Sequence, residues 1–255
     1  MRKLKLTLMA LSAVLFLTSC QDTERSEPVA QQTENPMVDE KIVGSILTAE
    51  EQAGMTPQEI VGRLQKGNEN FINNNLTQRD HSEQRRKATI GQFPKAIVLS
   101  CVDSRVPVED VFDLGIGDIF VARVAGNIDN EDIVGSMEFA TAVAGSKLVI
   151  VMGHTACGAV KSTIDQVDAK ALGMESLAAL MNEIEPAIAA TEFEGERTSE
   201  NAEFTNTVIT NNAMMTVDDI RKASPTMAKM EDEGKIMIVS AVYDMASGKV
   251  SFLKE

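Results

Sequence analysis

The chain has 255 residues, and its 38 Asp and Glu against 24 Lys and Arg leave a formal charge of −14 at pH 7. That balance argues against nucleic acid as a partner and against charge-driven docking on anionic membranes. Trp is absent and aromatic residues make up only 4% of the chain, which argues against a stacking platform for sugars or single strands.

Arg2, Lys3 and Lys5 precede an apolar stretch from Leu6 to Leu17, followed by Thr18-Ser19-Cys20. A basic start, a short apolar run and small residues make a secretory signal, too short to span a bilayer stably. Leu17-Thr18-Ser19-Cys20 resembles the bacterial lipobox. That reading makes residues 1–19 a lipoprotein signal peptide and Cys20 the lipidated first residue of the mature chain. It predicts an exported, lipid-anchored protein at the cell envelope, on its periplasmic or surface face. An ordinary cleaved signal with an incidental Cys20 is the alternative. Residues 20–45 are polar and acidic with few large apolar groups, and read as a flexible tether. Residues 46–255 are long enough for one well-cored domain.

Thr56-Pro57-Gln58-Glu59 combines a capping hydroxyl, proline at the first helical position and Glu at the third, which predicts a helix from residue 57 to about 74. Ile60, Leu64 and Phe71 form its apolar stripe, with no obvious partner within the chain. Residues 75–91 are basic and polar, an irregular connection with a short helix. Ala96-Ile97-Val98-Leu99-Ser100 is a continuous apolar run, as expected of a strand buried on both faces of a parallel sheet. Residues 119–124 form a second strand, and 130–144 a helix stopped by Gly145. Leu148 to Met152 is a third buried strand, with Gly153-His154 just beyond it. Helices follow at 157–168 and 173–190, then a polar insert and a helical region at 205–231. Residues 236–242 form a fourth strand, and Ser247-Gly248 turns the chain into a last one. Strands alternating with helices predict an α/β fold, a mainly parallel central sheet flanked by helices with an N-terminal helical arm.

The chain has three cysteines and two histidines. Cys101 opens Cys101-Val102-Asp103-Ser104-Arg105, and His154-Thr155-Ala156-Cys157 follows. Sites in open α/β sheets form outside the carboxyl ends of strands, so the two motifs can meet despite their separation. Two thiols and an imidazole make three protein ligands for Zn²⁺, leaving a fourth position open as catalytic sites do. A Cys101–Cys157 disulfide and two inert buried thiols are the other readings of the same cysteines. The His-x-x-Cys spacing, which lets two ligands converge from a strand end and a helix start, favours the metal. Arg105 binds a carboxylate in bidentate fashion and would keep Asp103 ionised and oriented.

Several motifs together resemble the β-class carbonic anhydrases: Gly91-Gln92-x-Pro94-Lys95, Cys101 through Pro107, and Gly117-Asp118-x-Phe120-Val121-x-Arg123-x-Ala125-Gly126-Asn127. Ser136 to Ala140, Gly153-His154-Thr155-x-Cys157-Gly158-Ala159 and Tyr243-Asp244-x-x-x-Gly248-x-Val250 continue the match in order. The resemblance covers residues 56–255. It implies reversible hydration of CO₂ to bicarbonate and a proton, with one Zn²⁺ per chain held by Cys101, His154 and Cys157. It further implies that Asp103 and Arg105 are the catalytic dyad. Gln92 and the Gly158 amide are implied to hydrogen-bond substrate, and Phe120, Ala125 and Phe139 to line the CO₂ pocket. Phe139 stands where relatives often carry Tyr. Those three apolar residues also read as ordinary core packing.

His81 reads as a solvated loop residue, with a proton shuttle as the sharper alternative. Some family members have an inhibitory bicarbonate site built on a Trp three residues before the first cysteine ligand. That position is Val98 here, so little bicarbonate-dependent shutdown is expected, with activity rising through the alkaline range. The resemblance also implies a homodimer or homotetramer whose subunits share pocket residues, and two-fold association would cover the stripe of the first helix. Two other functions compete: hydrolysis of carbonyl sulfide or carbon disulfide on the same scaffold, and a non-catalytic zinc-binding lipoprotein. Asp103, Arg105 and Gln92 together speak against the second, because zinc storage needs none of them.

Overall fold

The computed structural model describes residues 42–253, all within the unit Glu40–Glu255. The expected signal peptide, Cys20 and most of the expected tether lie outside the described residues. The end of that tether is tied to the domain. Val43 N–H donates to the Gln78 carbonyl at 2.8 Å, and Gln84 Nε2 donates to the Ser45 carbonyl at 2.9 Å.

Helix α1 (Ala49–Gly54) opens with a capping box between Thr48 and Glu51, a Thr-x-x-Glu signal that the sequence reading passed over. Helix α2 (Pro57–Ile72) has the predicted box between Thr56 and Glu59, both reciprocal bonds formed. After α3 (His81–Lys87) come strand β1 (Ala96–Ser100), the short α4 (Val108–Val111) and strand β2 (Ile119–Arg123). Helix α5 (Glu131–Glu138) runs into a π turn, Phe139–Val143, and Gly145 ends it in the left-handed region at φ 79°. Strand β3 (Leu148–His154) is followed by α6 (Gly158–Ile164), α7 (Glu175–Ala190), α8 (Ala202–Ala223), α9 (Pro225–Asp232), β4 (Met237–Tyr243) and β5 (Val250–Phe252). Pro225 divides the predicted helical region into α8 and α9, with Ser224 capping the second.

The sheet order is β2-β1-β3-β4-β5, with the first four strands parallel and β5 antiparallel. Both faces of β1 and β3 are buried. Val98, Ile150 and Met152 pack on the face carrying α2 and α4, while Ile97, Leu99, Val149 and Val151 pack with residues of α5, α8 and α9. Val98 is fully enclosed, which fits its reading as core.

The expectation that the stripe of α2 lacks an intrachain partner is not met. Ile60 and Leu64 are 1% and 0% exposed, packed with Met55, Val108, Val111 and Phe112. Helix α4, too short to show a period, supplies the facing surface. Gly67 allows the close approach, since a Cβ there would lie 1.9 Å from the Phe112 carbonyl oxygen. A second copy is therefore not needed to cover this stripe.

A buried ion pair locks the connection beneath α2. Asp113 accepts from Arg79 Nη1 at 2.6 Å, from Asn70 at 2.8 Å and from the Thr77 amide and hydroxyl at 2.9 and 2.8 Å. Burial raises the carboxyl, but the hydrogen bonds from Asn70, Arg79 and Thr77 outweigh it and hold Asp113 below its ordinary value. Asp113→Asn keeps the shape and tolerates the φ of 51°, yet leaves Arg79 without its counter-charge. Breaking a buried pair costs about 3–5 kcal/mol, and the 13% exposure of the Arg79 side chain points to the lower end. Because the folded value is depressed, this stability is present above the ordinary value of 3.8 and is lost as pH falls below it. Chemical denaturation at pH 7 and pH 3 is the check: the wild-type advantage over the variant shrinks at acid pH.

Candidate metal centre

Parallel register brings the two motifs together. Ser100 of β1 lies opposite Met152 of β3, so Cys101 leaves the sheet beside the end of β3. His154 is the last residue of β3 rather than the second residue beyond it, a correction of two positions to the expected strand end. Ala156, at φ 57°, turns the chain so that Cys157 becomes the N-cap of α6. Cys101, His154 and Cys157 are 4%, 0% and 1% exposed, and their ligand atoms lie within 4.8 Å of one another. Both cysteines are free, with their sulfurs 4.0 Å apart, so the disulfide alternative is not what the chain adopts.

The imidazole is prepared for a cation. His154 Nδ1 lies 3.0 Å from the Thr155 carbonyl, which can only accept, so Nδ1 carries the proton. Nε2 is left with its lone pair, buried and without a hydrogen bond. An orphaned buried acceptor beside two sulfurs is costly unless a positive ion satisfies it. The two sulfurs act on each other's acidity: the hydrogen bond with Cys157 draws the Cys101 thiol down to about 4, and the same bond pushes the Cys157 thiol up. The Gly126 amide adds a further donor to Cys101 Sγ at 3.4 Å. Two sulfurs and one unprotonated imidazole nitrogen, converging in a buried site, fit a metal ion with tetrahedral preference and leave one position open.

The carbonic anhydrase family model matches residues 96–250, which contain all three ligand candidates. The chain belongs to the carbonic anhydrase family. A carbonic anhydrase of Mycolicibacterium smegmatis is 31% identical over 197 residues, covering 73% of this chain and 88% of that protein. Among solved structures, the β-carbonic anhydrase CcaA has a TM-score of 0.60 at 21% identity, covering 78% of this chain and 98% of that one. A tetrameric β-carbonic anhydrase of Sordaria macrospora has a TM-score of 0.52 at 21% identity over 67% and 86%. These likenesses show the β-class fold.

Within this carbonic anhydrase fold, Asp103 stands at the ligand cluster with Oδ2 3.9 Å from His154 Nε2. Arg105 grips both carboxylate oxygens, Nε to Oδ1 at 2.9 Å and Nη2 to Oδ2 at 2.6 Å, while its amide adds a 2.9 Å bond to Oδ1. Those bonds from Arg105 hold the Asp103 carboxyl well below the usual carboxylate range. Arg105 Nη2 also reaches the Ala156 carbonyl at 3.3 Å, linking the two motifs.

The remaining expected residues are placed differently. Gly158 opens α6 next to Cys157, where the first amides of a helix have no intrahelical acceptor. Ala125 begins the turn whose next residue, Gly126, donates to Cys101 Sγ. Phe120 and Phe139 meet edge to face at 6.1 Å and line a cavity of about 620 Å³ with Ile97, Ile133 and Ser136. None of the three metal-ligand candidates lines that cavity. Gln92 is exposed ahead of β1 and makes no hydrogen bond among the described residues, and His81 is exposed at the start of α3. One residue of the resembling motif, given no role above, also contributes. Arg123 donates to the Cys101 carbonyl at 2.9 Å and to the Asp103 carbonyl at 2.5 Å, clamping the loop that carries both residues. Apart from its place in that motif, a cation closing the apolar strand Ile119–Arg123 was its local signal.

Proposed function

We propose that the protein catalyses reversible hydration of CO₂ at one Zn²⁺ held by Cys101, His154 and Cys157, with Asp103 and Arg105 as the dyad beside it. The observation that carries this reading is the buried convergence of two sulfurs and Nε2 next to an Arg-held carboxylate, in a chain of the carbonic anhydrase family. The donor set suits zinc, because thiolate and imidazole together select it over oxygen-seeking cations. When bound, zinc supplies the Lewis acidity that makes a nucleophilic oxygen available near neutral pH. Asp103 accepts a hydrogen bond at Oδ2, the oxygen facing the cluster, and Arg105 fixes the direction of that lone pair. Arg123 holds the loop that carries both Cys101 and Asp103. Apolar neighbours of the cysteines, Ile128, Val160 and Ile184, keep bulk water from the sulfurs. Stopped-flow CO₂ hydration by the purified protein, with and without a zinc chelator, tests the reading. Zinc-loaded protein that is no faster than buffer overturns it.

The active form is a dimer or a multiple of dimers, in which a second copy completes the substrate pocket. Two features support this. Among the described residues strand β2 pairs on one side only, and Phe139 and Val143 beside it are 48% and 72% exposed. The tetrameric relative of Sordaria macrospora is consistent with it. Sedimentation at assay concentration is expected to give a two-fold or four-fold species, and a fully active monomer overturns the reading.

Export and lipidation at Cys20 rest on the N-terminal sequence alone. Cys20→Ser is expected to release the protein from the membrane fraction of the producing cell, as loss of the acyl chains removes the anchor. A variant that sediments with membranes like wild type removes this proposal.

A further inference from the structure

The turn between β4 and β5 grips the residue that follows the histidine ligand. Thr155 N–H donates to the Tyr243 carbonyl at 3.0 Å, and its hydroxyl accepts from the Met245 amide at 2.9 Å and donates to Asp244 Oδ2 at 3.4 Å. Asp244 is itself held by the Ser247 amide and hydroxyl at 2.8 and 2.6 Å. The turn is pinned from below by buried Asn68 of α2, which donates to the Gly248 carbonyl and accepts from the Val250 amide, both at 2.8 Å. A continuous hydrogen-bonded chain thus runs from α2 through the C-terminal turn to Thr155. It ends at the Thr155 carbonyl, the acceptor for His154 Nδ1.

We infer that Thr155 is a positioning residue for the His154 ligand, its hydroxyl setting the peptide plane whose carbonyl fixes the imidazole tautomer and ring direction. The inference deepens the proposed function and rests on it. Left-handed Ala156 sharpens the argument, because a non-glycine residue at φ 57° persists only where its surroundings over-determine the backbone. With the hydroxyl gone, the Thr155 peptide keeps one bond to the turn instead of three, and its carbonyl is free to rotate away from Nδ1. Nε2 then loses both its defined tautomer and its aim. Partners of this kind typically contribute about 10–100-fold to metal affinity.

The test compares Thr155→Val, which keeps the branched shape and removes both hydroxyl bonds, with Thr155→Ser, which keeps the hydroxyl. Zinc release from each zinc-loaded full-length protein to excess chelator is measured alongside thermal melting. Thr155→Val is expected to release zinc about 10–100-fold faster, with Thr155→Ser close to wild type. A purely structural role would lower the melting temperature and leave release unchanged. Release from Thr155→Val at the wild-type rate, or equal acceleration in Thr155→Val and Thr155→Ser, overturns the inference. Should Thr155→Val fail to fold, Asp244→Ala removes the hydroxyl's acceptor from the other side. Faster release then supports the role, and the wild-type rate overturns it. A wild-type chain that holds zinc but does not hydrate CO₂ overturns the proposed function and leaves the release rates to decide the role of Thr155.

Discussion

Serine in place of Cys101 or Cys157, or alanine in place of His154, is expected to abolish metal binding and CO₂ hydration together. Each change removes one of the three candidate ligands whose atoms, among the described residues, lie within 4.8 Å of one another. The loss should exceed the ~10–100-fold typical of changes in outer-shell partners, because no other Cys or His among the described residues approaches the site. His81, the one remaining histidine of the chain, lies exposed at the start of α3. The fold should survive. The two clusters that bury the sheet faces, one around Val98 and Ile150 and the other around Leu99 and Val151, contain none of the three ligands. Metal analysis and stopped-flow assays of the three variants are the measurements, with far-ultraviolet circular dichroism as the control for folding. A variant that retains one zinc per chain and measurable turnover would remove that residue from the ligand set.

The second large effect is expected at Asp103, where Asn should retain zinc and lose about 10²–10⁴-fold in turnover, the range for a positioned acid–base group. Asparagine matches the shape of the side chain but offers a neutral acceptor and an NH₂ that donates. It therefore cannot reproduce the anionic acceptor at the position of Oδ2, and its pairing with Arg105 loses the charge that fixes its direction. Arg105→Ala should cost less, since the residue-105 amide still bonds Oδ1 at 2.9 Å. Stability should change little in either variant. The pair is solvent-screened, with 56% of the Arg105 side chain exposed.

The sign of the pH effect follows from the depressed carboxyl. Its contribution to stability is fully present above the ordinary value of 3.8 and fades only as pH falls well below that. Asp103 accordingly stays ionised across the neutral range, and no loss of wild-type activity between pH 5 and pH 9 should trace to it. Turnover of Asp103→Asn at the wild-type level, with zinc in place, would exclude the residue from the mechanism.

Much of this protein could be read from local pattern. The apolar runs at 96–100 and 148–152 are strands because residues enclosed on both faces leave no polar alternation. Thr56 to Glu59 begins a helix because its side chains satisfy amides that the helix cannot. The three residues that converge as a candidate metal site were also legible, since so few cysteines and histidines are present and His154 stands three residues from Cys157. The Thr48 box, a Thr-x-x-Glu at the start of α1, is equally plain in sequence.

What remained depends on contacts between distant segments. Helix α2 showed an apolar stripe, but a stripe does not say what covers it, and α4, with four residues, is shorter than the period that would have revealed it. The meeting of Cys101 with His154 is set by the parallel register of β1 and β3, which no local signal encodes. Arg123 clamps the Cys101 loop because the register of β2 places it opposite Ser100, and the His154 tautomer depends on a carbonyl orientation held by a turn ninety residues away. Side-chain type and spacing thus determined which elements form and which atoms could bind a metal. Strand register and long-range hydrogen bonds decided where those atoms converge, because backbone pairing is indifferent to side-chain identity until packing selects one alignment.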